Sequence, residues 1–274
     1  MINFNEPLIT GFEKGFVNQA LENRIHAGDG PFGQKCSEKL ANLSRSKLVL
    51  LTPSCTHSLE LAAILCDIRE GDEVIMPSYT FVSTVNAFLL RGANIVFCDS
   101  QKNNPNMDIK HVSSLITDKT KVIIPVHYAG IACDMDELLY ICQKQNIKII
   151  EDNAHGIGAF YKGKPLGTLG DLGCVSFHDT KNISCGEGGV LFVNDPSLNQ
   201  SAEVIREKGT DRAAYFRGEI NKYGWKSLGS SSIISKAFFL ALFIISRNIF
   251  NTPIYAKLVR KFNHNSPEIS DINK

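Results

Sequence analysis

Short apolar runs alternate with helical segments along most of this chain, and that alternation restricts the fold more than any single motif does. Seven runs have strand character: KLVLLT at 47–52, DEVIMP at 72–77, NIVFCD at 94–99, KVIIPV at 121–126, IKIIED at 147–152, GCVSFH at 173–178 and GVLFVN at 189–194. Apolar residues at helical spacing lie between the earlier runs, at 58–66, 80–90 and 135–145. Strands rich in Val and Ile, apolar on both faces and separated by helices, predict an α/β fold with a mostly parallel sheet covered on both sides. The last runs follow one another without a helix, which leaves room for an antiparallel pair there.

A chain of 274 residues can bury a sizeable core. Its formal net charge of +1 gives no excess that would point to nucleic acid or a membrane surface. Eight cysteines, at 36, 55, 66, 98, 133, 142, 174 and 185, form no CxxC pair and no zinc-ligand spacing. Several sit inside apolar runs, where a reduced thiol behaves as a small hydrophobe. The expectation is a reducing cytosol, no disulfide framework and no metal. The start, MINFNEPLITGFEKGF, lacks a charged opening followed by a long apolar core, so no secretory signal is read there.

Near the start, Phe12, Phe16, Val17, Ala20 and Leu21 recur at helical spacing and predict an amphipathic helix over 11–23 whose apolar face packs on something. GDGPFG follows, with Gly28, Gly30 and Gly33 at the spacing of a GxGxxG fingerprint. No strand precedes it, Pro31 interrupts it, and no acidic residue follows a strand at the expected distance. It reads as a loop rather than a dinucleotide site.

Chemistry concentrates between 149 and 189. One apolar run ends in Glu151 and Asp152, and another ends in His178 and leads to Lys181. Strand ends are where open α/β sheets place ligands, although an Asp there also serves as a turn former and a Lys as a solvated charge. After the first strand, Thr52, Ser54, Thr56 and Ser58 crowd a strand-to-helix turn. Free N–H groups at such a helix start favour an anion such as phosphate, whereas capping alone needs one hydroxyl. Tyr79 and Phe81 follow the second strand, where Phe81 is placed to lie against a flat ring or to join the core. His127 and Tyr128 follow the fourth strand, with a structural histidine as the alternative.

In chain order, PSCTHSLELAA, GDEVIMPSYTFVSTVNAFLLRGA, PVHYAG, IIEDNAHG, the SFHDTKN segment and GEGG resemble the sugar aminotransferases of the DegT/DnrJ/EryC1/StrS family, and the likeness covers residues 1–235. It implies a fold type I transferase dependent on pyridoxal 5′-phosphate, working in the cytoplasm as a homodimer with sites between subunits. Under that resemblance Lys181 joins the cofactor covalently and moves protons, a task for an amine of lowered pKa. Asp152 pairs with the protonated ring nitrogen, keeping the ring an electron sink. Ser176 bonds the phosphate, Cys55 and Thr56 fall in the phosphate loop, Phe81 stacks on the ring, and His155 stands beside it. The implied reaction moves an amino group from L-glutamate to the 4-keto carbon of a dTDP-linked 6-deoxyhexose. That is the formation of dTDP-4-amino-4,6-dideoxygalactose for enterobacterial common antigen and lipopolysaccharide.

The segment 205–231 follows the family too. There Arg212, Tyr215, Arg217 and Trp225 are candidates to meet the nucleotide-sugar diphosphate, since Arg forks suit phosphate oxygens, or to form a solvated loop. Beyond 235 the sequence departs from the family. The expectation is a large cofactor-binding domain over 1–235, with a divergent tail over 236–274 in place of the family's small domain, through a frameshift or other shortening. The apolar run 237–245 is shorter than the ~20 residues of a membrane-spanning helix. A second function class is therefore a weak or inactive remnant that still binds the cofactor or a partner subunit. Sugar dehydration on the same cofactor is disfavoured because Lys181 is kept where such relatives carry His, and a nicotinamide oxidoreductase is the weakest reading.

Overall fold

In the computed structural model the expected runs become β1 (Leu48–Thr52), β2 (Glu73–Pro77), β3 (Asn94–Cys98), β4 (Thr120–Ile123), β5 (Lys148–Asp152), a short hairpin β6 (Phe160–Tyr161) and β7 (Lys164–Pro165), β8 (Leu172–Ser176) and β9 (Gly189–Val193). All but the hairpin join one sheet in the order β1-β9-β8-β5-β4-β2-β3. Pairing is parallel between β3, β2, β4, β5 and β8, while β9 runs antiparallel to both β8 and β1. The α/β class and the mostly parallel seven-stranded sheet therefore stand, with the one reversed strand following β8 directly. β4 stops before the expected end at 126 because Pro125 has no N–H for the ladder, although Val126 still bridges to Asp152.

The structure describes residues 6, 9–25, 28, 30–224 and 226. Trp225 and the tail expected over 236–274, with its apolar run, lie outside the described residues. The chain forms two units, Met1–Lys208 and Gly209–Lys274, and the sheet belongs to the first.

The period of two along each strand sorts the core onto two faces. Val74, Met76, Val122, Ile124, Ile150, Leu172, Cys174, Leu191 and Val193 pack with α3 (Cys55–Leu65) and α4 (Val82–Leu89). Their neighbours Ile75, Ile123 and Ile149 face the other way, onto α5 (Ile109–Leu115) and α6 (Met135–Gln145). Each fully buried aliphatic contributes roughly 1.5–3 kcal/mol. α3 is apolar on nearly every side, and seven of its eleven residues are buried. That makes it the central helix, and it ties the position of its N-terminus to the sheet.

One expectation near the start is corrected. GDGPFG is not a loop throughout: Pro31 opens α2 (Pro31–Ser44), at a position where its missing N–H costs nothing, and Gly33 lies inside the helix. α1 (Glu13–Glu22) forms as expected. It buries no residue, and Phe12, Phe16, Val17 and Leu21 are all exposed, with Phe16 meeting Phe32 edge-on at 6.0 Å. After β9 comes α7 (Asn199–Arg206). The second unit contains α8 (Arg212–Phe216).

Candidate active site

The carboxyl ends of β1, β2, β4, β5 and β8 open onto one cleft of about 540 Å3. Each strand delivers its following turn to the wall, as expected for a parallel sheet. Cys55, Thr56, Phe81, Asp152, His155, Ser176 and Lys181, picked out in the sequence from separate segments, all line it. Arg212, Tyr215 and Arg217 belong to the second unit. There the Arg212 guanidinium stands 5.6 Å from the Phe216 ring, the Tyr215 ring lies tilted by 59° against Tyr223 with centroids 5.2 Å apart, and Arg217 pairs with Glu219 at 2.6 and 3.0 Å.

Asp152 is the last residue of β5 and is 4% exposed. A buried carboxylate needs donors, and it has them: Thr84 Oγ1–H reaches Oδ2 at 2.7 Å, and the Ala154 N–H reaches Oδ1 at 3.2 Å. Because Thr84 spends its proton on Asp152, the Thr80 hydroxyl at 2.9 Å donates to Thr84, making a chain of two hydroxyls behind the acid. Lys181 follows β8 on a loop whose ends are tied by Phe177 N–H to Gly188 O and Cys185 N–H to Phe177 O. Its own N–H donates to His178 O at 2.9 Å. Burial lowers the Lys181 pKa below the ordinary lysine value, and Asp152 and Cys55 pull it partly back. The cleft thus holds an amine biased toward its neutral, nucleophilic form near a buried acid.

The N-terminus of α3 forms another wall. Ser54 caps it, accepting from the His57 N–H at 3.3 Å, and the first helical bond is Ser58 N–H to Ser54 O. The N–H groups of Cys55 and Thr56 precede that bond, so the helix itself gives them no acceptor. Of the four hydroxyls expected to hold an anion, Thr52 and Ser58 bond each other at 2.6 Å and do not line the cleft. Ser54 and Thr56 do line it, and Ser176 supplies a further hydroxyl. Burial pushes the Cys55 thiol well above its usual range, with Asp152 adding to the effect, so it remains a neutral lining group. Gly189 fits under this terminus because any Cβ there would stand 2.3 Å from Ser54 C and 2.5 Å from Cys55 N.

Three histidines at the cleft share one arrangement, in which a backbone N–H donates to Nδ1 and leaves Nε2 to carry the proton. In His127 the donor is Cys133 and Nε2–H meets Glu151 at 2.8 Å. In His178 the donor is Thr180, with Glu187 3.3 Å from Nε2. In His155 it is Ala129, at 3.2 Å. His127 is fully buried, so the structural alternative raised for it describes its bonding. Glu151, also fully buried, further accepts from the N–H groups of Gly167, Leu169 and Gly170.

Sequence reasoning assigned no role to Thr84, Glu151, Thr180 or Glu187. A hydroxyl three residues past Phe81 in a helix first turn was a visible signal for Thr84, but its partner lies 68 residues away. Among the described residues there is no cluster suited to a metal, and no helix is long and apolar enough to cross a membrane. All eight cysteines are free.

Comparison with known proteins agrees with this geometry. GDP-perosamine synthase of Escherichia coli O157:H7 is 36% identical over 214 residues, covering 78% of this chain and 56% of that protein. The spore coat polysaccharide biosynthesis protein SpsC of Bacillus subtilis is 35% identical over 218 residues, 80% of this chain and 56% of its own length. A Streptococcus pneumoniae structure titled as a sugar aminotransferase, in its PLP form, superposes with a TM-score of 0.73 at 29% identity, covering 82% of this chain and 61% of that one. The chain spans about half the length of the curated relatives it matches. Aminotransferases of the DegT type use pyridoxal phosphate. The model of the DegT/DnrJ/EryC1/StrS aminotransferase family matches residues 7–235, which is most of the sequence and the whole of the cleft, and the chain belongs to that family.

Proposed function

We propose that this cleft binds pyridoxal 5′-phosphate and serves an aminotransferase that moves the amino group of L-glutamate to the 4-keto carbon of a nucleotide-linked 6-deoxyhexose. The observation that carries the reading is one amine of depressed pKa, Lys181, sharing a cleft with buried Asp152 and the N-terminus of α3. The residues suit a phosphorylated, positively charged aromatic ring. Ser176 Oγ and the N–H groups of Cys55 and Thr56 at the α3 N-terminus supply donors for a phosphate, while the Thr56 hydroxyl donates to Ser83 at 2.8 Å. Asp152 supplies the anion for a ring cation, and Phe81, 74% exposed, supplies a flat apolar face. Bound there, the cofactor supplies an electron sink for the substrate carbon. Lys181 holds the cofactor and, once free, moves a proton at Nζ. Asp152 keeps the ring cation in place, and Thr84 and Ala154 keep Asp152 in place.

In the second unit, Arg212, Tyr215 and Arg217 are proposed to meet the sugar diphosphate, Arg217 by exchanging Glu219 for phosphate oxygens. The working unit is proposed as a cytoplasmic homodimer, a reading that the exposed apolar face of α1 supports. The family resemblance favours a dTDP carrier and the product dTDP-4-amino-4,6-dideoxygalactose. A relative named GDP-perosamine synthase favours GDP as the second reading of the base. Borohydride treatment with the cofactor present, then peptide mapping, should leave the pyridoxyl mass on Lys181; an untagged lysine in folded, saturated protein overturns the cofactor assignment. Amino transfer from glutamate to dTDP- and GDP-linked 4-keto-6-deoxy sugars then separates the two carriers.

A further inference from the structure

The turn after β4 is unusual in its backbone. Ala129 sits at φ 53° and ψ 24°, left-handed space that a residue with a Cβ enters only at a cost. Such strain persists where the surroundings over-determine it. Here they do. Asn106, 1% exposed, accepts the Tyr128 N–H at 3.2 Å and donates to the carbonyls of Ile131 and Ala132, both at 3.0 Å, so it grips the turn on each side of Ala129. Gly130 packs against the backbone of His155, where an added Cβ would stand 3.3 Å from the carbonyl oxygen.

The strained residue has one polar output: its N–H, which donates to His155 Nδ1. A nitrogen that accepts a hydrogen bond carries no proton, so a neutral His155 holds its proton on Nε2. That nitrogen bonds to no described residue, and His155 lines the cleft, with its ring edge-on to Tyr128 at 5.4 Å. We propose that Asn106 and the left-handed Ala129 are positioning residues that lock His155 as the Nε2–H tautomer, giving the cleft a neutral hydrogen-bond donor and no base at this place. Burial and the nearby Lys181 charge lower the His155 pKa, with Asp152 opposing them, which agrees with the neutral ring. The ligand group that suits this donor is an acceptor oxygen. That last step alone rests on the reading of the cleft as a cofactor site.

Two-bond 1H–15N correlation spectra of the full chain labelled at histidine, with His155 assigned by loss of its peaks in His155→Gln, read the tautomer directly. The expected wild-type pattern has Nε2 in the protonated range and Nδ1 in the unprotonated range, with or without pyridoxal phosphate. Ala129→Gly keeps both the N–H and the left-handed backbone, so the pattern should survive. Ala129→Val, a β-branched residue unsuited to positive φ, and Asn106→Ala should lose it, moving both nitrogens toward averaged shifts. An Nδ1–H pattern in the wild type overturns the proposal, as does an unchanged pattern in Ala129→Val with its fold intact. Because Ala129 is on the surface, that variant stands as the test even if Asn106→Ala does not fold. Failure of Lys181 to take the cofactor would leave these spectra unmoved, so the two claims fail separately.

Discussion

Thr84 Oγ1 donates a 2.7 Å hydrogen bond to Asp152 Oδ2, joining the first turn of α4 to the end of β5 across 68 residues of sequence. Hydrogen bonds to charged groups are worth about 1.5–3 kcal/mol, and this carboxylate has little access to water. Thr84→Val keeps the shape and deletes the donor. The expected outcome is a loss of about 2 kcal/mol in urea unfolding and weaker retention of pyridoxal phosphate on dialysis. Thr84→Ser keeps the hydroxyl and should retain most of both.

Lys181 predicts a dependence on pH whose sign follows from its burial. Its folded pKa lies below the ordinary 10.5, so between those two values the unfolded chain binds more protons than the folded one. Stability therefore rises with pH across that window and is lowest below it, where the folded state must hold a charged, half-buried amine. In cofactor-free protein, urea midpoints should climb as pH rises toward 10.5. In Lys181→Met that climb should be reduced, because the titrating group is gone. Equal slopes in the two proteins would show that the amine is not desolvated.

The strands were legible because burial on both faces leaves a plain signature, seven apolar runs broken by helices. Asp152 and Lys181 were legible because a charge at the end of such a run is conspicuous. Thr84 and Glu151 were not, since what distinguishes them is a partner brought near only by sheet pairing. α2 was hidden because Gly30 and Pro31 break a helix interior yet suit its first turn equally well. The apolar stripe of α1 was read correctly as helical, but periodicity says nothing of what covers a face. The four hydroxyls around Ser54 looked alike in sequence, and only the fold separates Thr52 and Ser58, which bond each other, from Thr56, which lines the cleft.

Gly189 predicts an intolerance unrelated to charge. Its φ is unexceptional, and what forbids a side chain is space, with the backbone of Ser54 and Cys55 within 2.5 Å of an added Cβ. Backbone cannot rotate away as a side chain can, so Gly189→Ala must push β9 from the start of α3. Overpacking typically costs about 1–3 kcal/mol, and the expected loss is at the upper end. The displaced helix start should also weaken inorganic phosphate binding, measured by calorimetry. Gly186→Ala is the contrast: no atom lies within 4 Å of its added Cβ, and its φ of +85° leaves backbone strain as the only cost.

Glu151 gives the steepest expected loss. It points away from Asp152, as successive residues on a strand do, and its carboxylate takes four donors: His127 Nε2–H and the N–H groups of Gly167, Leu169 and Gly170. Removing one partner of a buried, charged cluster strands the others, at roughly 3–5 kcal/mol. Glu151→Ala should therefore leave little folded protein at ordinary temperature, by near-ultraviolet dichroism. Glu151→Gln is more informative. One amide oxygen can still accept from Leu169 and Gly170, but the NH2 group then faces the His127 and Gly167 donors. His127 can relieve this only by moving its proton to Nδ1, which would set two hydrogens against each other at the Cys133 N–H. Glu151→Gln is thus expected to fold with a lower urea midpoint and with faster hydrogen exchange at the amides of Cys133 and Gly167 than at those of β2. Unchanged protection at Cys133 would show that the tautomer of His127 is not held by Glu151.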